Sequence, residues 1–305
     1  MIKEDKKIVT KIKELKKKHN AIILAHNYQL PEVQDIADFR GDSLELSRIA
    51  ARTEAKVIVF CGVYFMAETA SILSPDKLVI MPDTSAGCPM ANMMNANDLR
   101  KLKKEHPGAV AVGYVNTSAA VKAELDYCCT STNAVTLVNA LKQEKEIIFV
   151  PDKYLADYVS KKSGRKLISW HGFCPTHVKI LPEDLKQEKK FHPQAKVMVH
   201  PECLASVVAL ADAVLSTSQM AKYAKEDPAK EFIIGTESGL LYRLKQDNPN
   251  KEFYLASERA VCPNMKRTTQ EKVLWALEEL KEEVKVSEEI RKKARLAIER
   301  MLAIV

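Results

Sequence analysis

The chain has 305 residues, of which 46% are hydrophobic and 29% are charged, and its formal net charge is +7. No apolar run reaches the roughly 20 residues that a transmembrane helix needs, and the first residues lack the apolar core of a signal peptide. We therefore expect a cytoplasmic protein without a membrane partner. The sequence contains no nucleic-acid-binding motif, so we expect no nucleic-acid partner either.

The predicted elements recur three times along the chain. Each repeat begins with a charged helix whose last residues include a histidine, and these histidines, His19, His106 and His192, are 87 and 86 residues apart. A short apolar run follows each helix, at residues 21–25, 109–113 and 195–199. Such runs, alternating with helices, are typical of buried parallel strands.

Polar residues end each of these predicted strands. The strand-end segments are His26-Asn27-Tyr28, Tyr114-Val115-Asn116 and His200-Pro201-Glu202. After a short helix, a second signature begins with aspartate and has a hydroxyl residue five positions later, at residues 38–43, 126–131 and 212–217. A further helix precedes the next predicted strand, at residues 56–60, 146–150 and 231–235.

Each repeat closes with a last strand and a Cys-Pro dipeptide. The three cysteines, Cys88, Cys174 and Cys262, are 86 and 88 residues apart. Thiols stay reduced in the cytoplasm, so periodic cysteines there indicate metal ligands rather than disulfides. The remaining cysteines have no such context, and we assign them to packing: Cys61, Cys128, Cys129 and Cys203.

The repeat period is far longer than that of a solenoid, so we predict three similar α/β domains with small parallel sheets around a pseudo-threefold axis. The predicted repeats span residues 1–92, 93–179 and 180–265, and a helical C-terminal extension at 266–305 packs on the outside. Parallel sheets place functional groups beyond the carboxyl ends of their strands. The strand ends and the three thiolates are therefore expected to meet at a central junction, which would be the active site.

Three thiolates leave one metal position open, because structural zinc sites and electron-transfer clusters normally take four protein ligands. The open iron of a cubane cluster can act as a Lewis acid and help water to leave. This chemistry indicates a dehydrating or eliminating enzyme. Two alternatives stay open: an iron–sulfur- or zinc-dependent lyase acting on another hydroxy acid, and a non-catalytic iron–sulfur carrier, which predicts a fourth protein ligand.

The strand ends and the second signature supply candidates for acid–base chemistry and anion binding. His200 and Glu202 are the only adjacent acid–base pair at one strand end. Serine, threonine and aspartate in the second signature are preferred N-caps, and capped helix N-termini also bind anions.

The chain resembles the quinolinate synthase family over essentially its whole length. The motifs that carry the resemblance are 24–28 with 41–43, Phe65-Met66-Ala67-Glu68, Cys88-Pro89-Met90-Ala91, 114–118, Cys174-Pro175-Thr176-His177, His200-Pro201-Glu202-Cys203, Gly235-Thr236-Glu237 and 262–266. The resemblance implies condensation of iminoaspartate with dihydroxyacetone phosphate to quinolinate, with loss of phosphate and two waters. It also implies a functional link to an enzyme that produces iminoaspartate, and a monomer or homodimer.

The resemblance further implies a [4Fe-4S] cluster held by Cys88, Cys174 and Cys262. Tyr28 and Glu202 are the implied proton-transfer residues, assisted by His26 and His200. The implied substrate-binding residues are His26, Ser43, Tyr114, Asn116, Ser131, His177, His200, Glu202, Ser216 and Thr217, with His177 beside the cluster. Some branches of the family carry a Cys-x-x-Cys-x-x-Cys run at the third cysteine. This chain has only Cys262 there, so we expect no redox switch through that run.

Overall fold

A computed structural model describes residues 3–304. Within this range the chain forms three four-stranded parallel sheets, one in each repeat. The first sheet has the order β2-β1-β3-β4 and consists of β1 (Ala21–His26), β2 (Phe39–Gly41), β3 (Val57–Cys61) and β4 (Leu78–Ile80). The second has the order β6-β5-β7-β8 and consists of β5 (Val110–Tyr114), β6 (Tyr127–Cys129), β7 (Ile147–Val150) and β8 (Ile168–Ser169).

The third sheet repeats the pattern in the order β10-β9-β11-β12, with β9 (Lys196–Val199), β10 (Ala213–Val214), β11 (Glu231–Gly235) and β12 (Glu252–Leu255). Helices connect the strands. In the first repeat they are α1 (Lys3–His19), α2 (Pro31–Ile36), α3 (Ser43–Arg52) and α4 (Tyr64–Leu73). In the second they are α5 (Ala96–Glu105), α6 (Ala119–Lys122), α7 (Ala134–Ala140) and α8 (Lys153–Ser163). In the third they are α9 (Pro182–Phe191), α10 (Ala205–Val208), α11 (Thr217–Glu226) and α12 (Leu240–Asp247). The prediction of three similar α/β domains is confirmed.

The aspartate that begins the second signature has the same structural role in every repeat. The Asp38 carboxylate accepts a hydrogen bond from the Ile23 backbone N–H at 2.7 Å, and Asp126 and Asp212 make the equivalent bonds at 2.8 and 2.7 Å. The carboxylate thus joins the start of each edge strand to the first strand of its sheet. The sequence did not predict these edge strands, because two or three residues are too few to show a period of two.

The last two helices cover the first two repeats. Helix α13 (Gln270–Glu279) packs against α1 and β3, and α14 (Glu288–Ala303) packs against β6, α6 and α4. The apolar face of α14 buries small and medium-sized side chains, Ala294, Ala297, Ile298 and Met301. Among residues 3–304, no helix is both long enough and apolar enough to cross a membrane.

Candidate active site

A cavity of about 200 Å³ lies where the carboxyl ends of the three sheets meet. All three repeats contribute to its wall. The predicted site residues that line it are His26, Tyr28, Ser43, Cys88, Tyr114, Asn116, Ser131, Cys174, His177, His200, Glu202, Thr217 and Cys262. Of the residues predicted for the site, only Ser216 does not line the cavity.

Ser216 instead belongs to a central triad of Asp42, Thr132 and Ser216, one residue from each repeat. The Thr132 hydroxyl donates to Asp42 Oδ2 at 2.9 Å and lies 2.8 Å from Ser216 Oγ. Ser216 Oγ in turn lies 3.3 Å from Asp42 Oδ2. Asp42 and Ser216 also cap helices α3 and α11. The triad therefore joins the starts of two helices at the point where the three repeats meet.

The N-termini of α3 and α11 begin at the cavity wall. Ser43 and Thr217 are the first residues of these ten-residue helices, and both line the cavity. A helix N-terminus carries partial positive charge and favours an anionic ligand. At α3 the Asp42 carboxylate already accepts the N–H groups of Leu44 and Glu45 and offsets part of this charge. Asn116 Oδ1 has no hydrogen-bond partner within residues 3–304 and is an acceptor for an N–H or O–H group of a ligand. This part of the cavity is suited to the carboxylate or phosphate groups of a ligand.

His26 and His200 occupy equivalent strand ends and have the same backbone contact. The N–H of Tyr28 donates to His26 Nδ1 at 3.2 Å, and the N–H of Glu202 donates to His200 Nδ1 at 3.3 Å. Because Nδ1 accepts in both rings, the proton of the neutral imidazole is on Nε2. Burial lowers the pKa of each histidine to about 3, against the opposing effect of Glu202. Both are therefore neutral hydrogen-bond donors at pH 7.

A buried network of four residues crosses the cavity wall: Tyr28, His177, Glu202 and Tyr114. The Tyr28 hydroxyl lies 3.3 Å from His177 Nε2, and His177 Nδ1 lies 2.9 Å from Glu202 Oε2. The Tyr114 hydroxyl donates to Glu202 Oε1 at 2.5 Å. These contacts bring together all three repeats, since each repeat contributes at least one member. The network connects two phenols through an imidazole and a carboxylate.

The surroundings shift the pKa values of the two phenols and of the carboxylate in opposite directions. Burial, and next the charge of Glu202, raise the pKa of Tyr28 and of Tyr114 well above the usual value. Burial by itself raises the pKa of Glu202, but the neighbouring His177 ring and the hydrogen bonds from His177 and Tyr114 outweigh it and hold that pKa below its usual range. The phenols keep their protons while the carboxylate is ionised, which is the pattern of a site with assigned acid and base.

The three Cys-Pro thiols have equivalent backbone groups beside them. The N–H groups two and three residues after each cysteine face its sulfur, beyond the proline that has no N–H. These N–H groups favour a thiolate, but burial is the larger effect and raises the pKa of Cys88 to about 12 and those of Cys174 and Cys262 above the usual value. A metal centre bound by all three would supply the positive charge that such buried thiolates need. The donor set therefore fits a three-cysteine metal or iron–sulfur centre.

A second group of metal-ligand types overlaps this site. Donor atoms of Cys174, His177 and Glu202 all lie within 4.8 Å of one another. However, His177 and Glu202 already bond to each other, which favours their role in the hydrogen-bond network over ligation. The four cysteines outside the Cys-Pro dipeptides are all buried.

Sequence similarity to known proteins shows which family the chain belongs to. A family model described as quinolinate synthetase A protein matches residues 10–303. The chain belongs to this family. It is 57% identical over 295 residues to the quinolinate synthase of Dehalococcoides mccartyi, with 97% of each chain covered. It is 54% identical over 297 residues to that of Methanosarcina barkeri, again with 97% of each covered, and 55% identical over 293 residues to that of a Geobacter species, with 96% of each covered. The protein is therefore an enzyme of a family that acts in NAD biosynthesis.

Thr236 is a residue of the site that the sequence did not reveal. Its Oγ1 atom lies 2.6 Å from the Tyr28 hydroxyl and 2.9 Å from His177 Nε2, and the side chain is buried. Thr236 immediately follows β11, so its position beyond a strand end was the available signal. The motif Gly235-Thr236-Glu237 contributed to the family resemblance, but nothing in its residue types assigned Thr236 to Tyr28.

Proposed function

We propose that this protein condenses iminoaspartate with dihydroxyacetone phosphate to form quinolinate, with loss of phosphate and two waters. One observation carries this proposal: the three Cys-Pro thiols and the network of Tyr28, His177, Glu202 and Tyr114 line the same cavity. The names of the relatives supply the product. The cavity of about 200 Å³ suits a small dicarboxylate rather than a macromolecule.

Cys88, Cys174 and Cys262 would hold a [4Fe-4S] cluster. When bound, a cluster with three protein ligands supplies a Lewis acid that polarises a substrate oxygen and helps water to leave. The carrier hypothesis requires a fourth protein ligand. Within the described part of the chain, no fourth cysteine lines the cavity, which favours the open-site arrangement.

The remaining polar groups would hold the two anionic substrates. Ser43 and Thr217, at the N-termini of α3 and α11, are placed for a phosphate or carboxylate, and Ser131 stands nearby on the cavity wall. His26 and His200 would donate from Nε2 to carboxylate oxygens as neutral imidazoles. Neutral imidazoles bind a carboxylate through hydrogen bonds from Nε2 and add no net charge to this wall of the cavity.

Glu202 is the proposed base and the two tyrosines are the proposed acids. The ionised Glu202 carboxylate would take the proton from the carbon atom that forms the new bond, and Tyr28 would protonate an oxygen that leaves as water. His177 contacts both Tyr28 and Glu202, so it can pass the proton gained by one to the other. Such a transfer would return the site to its starting protonation state after each elimination.

We also propose that the enzyme works in the reducing cytoplasm, as a monomer or homodimer, and receives its iminoaspartate from a separate enzyme. Iminoaspartate hydrolyses readily, and a cavity between three domains would exclude water from it.

Anaerobic assay of the reconstituted protein with both substrates tests the proposed function. The proposal predicts quinolinate and one equivalent of phosphate. An intact cluster without quinolinate formation would contradict it. If quinolinate did not bind but another small dicarboxylate did, an iron–sulfur-dependent lyase acting on that compound would replace it.

A further inference from the structure

The segment that carries Cys262 differs from those that carry the other two ligand cysteines. Cys88 and Cys174 each lead into a short 3-10 helix, Ala91–Met93 and His177–Lys179. The residues after Cys262 form turns only, as far as the described residues show. The carbonyl groups of Cys88 and Cys174 accept the backbone N–H groups of Asn92 and Val178, whereas the backbone hydrogen bonds after Cys262 begin at the carbonyl of Pro263. Side-chain contacts therefore contribute more to the position of Cys262.

Glu237 provides such a contact from the end of β11. Its carboxylate is fully buried, and Oε1 accepts the backbone N–H of Cys262 at 3.0 Å. Oε2 accepts the backbone N–H of Gly239 at 2.8 Å. The carboxylate thus fixes the peptide of the ligand cysteine to the end of the third sheet. A buried carboxylate needs a compensating charge, because loss of hydration is costly.

Lys266 supplies that charge and extends the contact to the first repeat. Its Nζ atom lies 2.9 Å from Glu237 Oε1 and 3.1 Å from Oε2. The same ammonium donates a short hydrogen bond to the backbone carbonyl of Tyr28. Lys266 is four residues after Cys262. Glu237 therefore holds the segment 262–266 at its first residue, through the Cys262 N–H, and at its last residue, through the Lys266 ammonium. The ion pair joins the ligand segment, the third sheet and the strand end that bears Tyr28.

The second repeat offers a partial comparison. Asp152 follows β7 as Glu237 follows β11, it is also fully buried, and the Cys174 backbone N–H faces its carboxylate. Asp152 mainly caps α8, through the N–H groups of Tyr154 and Leu155. No lysine or arginine within residues 3–304 forms a salt bridge with it. The ion pair is thus a feature of the third repeat, whose ligand segment lacks a helix.

We infer that the Glu237–Lys266 ion pair is a positioning device for Cys262, which holds this sulfur toward the other two and sets how tightly the metal centre is retained. The inference rests on the proposed function, since it takes Cys262 as a ligand. Glu237 and Lys266 act through Cys262 and Tyr28 and are positioning residues. Supporting residues of this kind typically change metal affinity by about 10–100-fold when they are replaced.

The test measures how fast iron leaves the anaerobically reconstituted protein when an iron chelator is added. Lys266→Met removes the ammonium, and we expect iron loss about 10-fold faster than in the wild type. Because an unpaired buried carboxylate can prevent folding, the double variant Glu237→Gln with Lys266→Met removes both charges and should also release iron faster. Lys266→Arg keeps the ion pair and should restore slow release, which a general loss of stability would not explain.

Lys196→Met is the matched control. It breaks the Lys196–Asp227 salt bridge of 2.6 Å in the same repeat, at a position that does not line the cavity. We expect wild-type iron release from it. Wild-type release from both Lys266→Met and the double variant would overturn the inference and leave the proposed function intact. If the wild-type protein bound no metal at its three cysteines, both proposals would fall.

Discussion

Thr236 offers a sharp test of the active-site geometry, because it supports two members of the network without facing substrate. Thr236→Val preserves the shape of the side chain and removes only the hydroxyl that contacts Tyr28 and His177, at 2.6 and 2.9 Å. The Tyr28 hydroxyl then keeps only the longer contact with His177, at 3.3 Å. Tyr28 would lose its fixed orientation in the cavity.

The size of the effect follows from the two lost hydrogen bonds. Each hydrogen bond contributes about 1 kcal/mol net, so the variant would lose about 2 kcal/mol of the free energy that holds Tyr28 and His177 in the reactive geometry. A barrier raised by that amount lowers kcat about 30-fold. KM should change little, since Thr236 is not among the residues that line the cavity. Iron content should stay at the wild-type level, because the hydrogen bonds of the Thr236 hydroxyl within residues 3–304 go to Tyr28 and His177 and to none of the three ligand cysteines.

The assay is anaerobic quinolinate formation at saturating substrate, normalised to intact clusters. Thr268→Val is the matched control. Thr268 is equally buried, and its hydroxyl has no hydrogen-bond partner in the described residues, so its removal should leave kcat unchanged and should not destabilise the protein. A Thr236→Val enzyme with normal iron and kcat within twofold of the wild type would refute the role assigned to the network.

Three further predictions address the base, the ligands and the buried histidines. Glu202→Gln should lower kcat by about 100-fold or more, because the amide cannot accept a proton; equal loss of activity and iron would instead assign Glu202 to the metal. Replacing any one of the three Cys-Pro cysteines by serine should abolish the cluster, whereas Cys203→Ser should retain iron; complete iron loss from Cys203→Ser would contradict the ligand set. His26 and His200 have a pKa of about 3 when folded and 6.5 when unfolded, so only the unfolded chain takes up their protons as the pH falls. Their stabilisation is fully present above pH 6.5 and is lost as the pH falls toward 3. Denaturant unfolding of the metal-free protein should therefore lose up to about 1.4 kcal/mol per histidine for each pH unit between 6 and 5. His26→Asn should roughly halve that slope, and an unchanged slope would contradict the assignment.

The repeat made much of the fold predictable. The spacing of Cys88, Cys174 and Cys262 and the apolar runs before each strand end imply three similar sheets, because a shared period in sequence reflects a shared unit in space. Functional groups in parallel sheets lie beyond the carboxyl ends of the strands, and this predicts that His26, Tyr28 and Glu202 lie in one cavity. Both predictions depend on local patterns of strand, helix and strand end, and the sequence shows these directly.

The contacts between repeats were not predictable in the same way. Thr132 and Ser216 meet Asp42 across 90 and 174 residues of sequence, and Thr236 meets Tyr28 across 208. Residue types alone do not select such partners, since every second signature contains serine or threonine. The family resemblance implies Ser216 as a substrate ligand, and this stays a prediction; its contacts with Asp42 and Thr132 could not be read from the sequence.

The central claim is that catalysis occurs at a cluster held by the three Cys-Pro cysteines. The most direct test is to purify the protein without oxygen and to measure its iron content, its sulfide content and its visible spectrum. We expect about four irons and four sulfides per chain, because three cysteines would hold a cubane cluster with one open iron. We also expect that quinolinate changes the spectrum, since the ligand would reach that open iron. Zinc in place of iron, or a cluster whose spectrum does not respond to quinolinate, would contradict catalysis at this site.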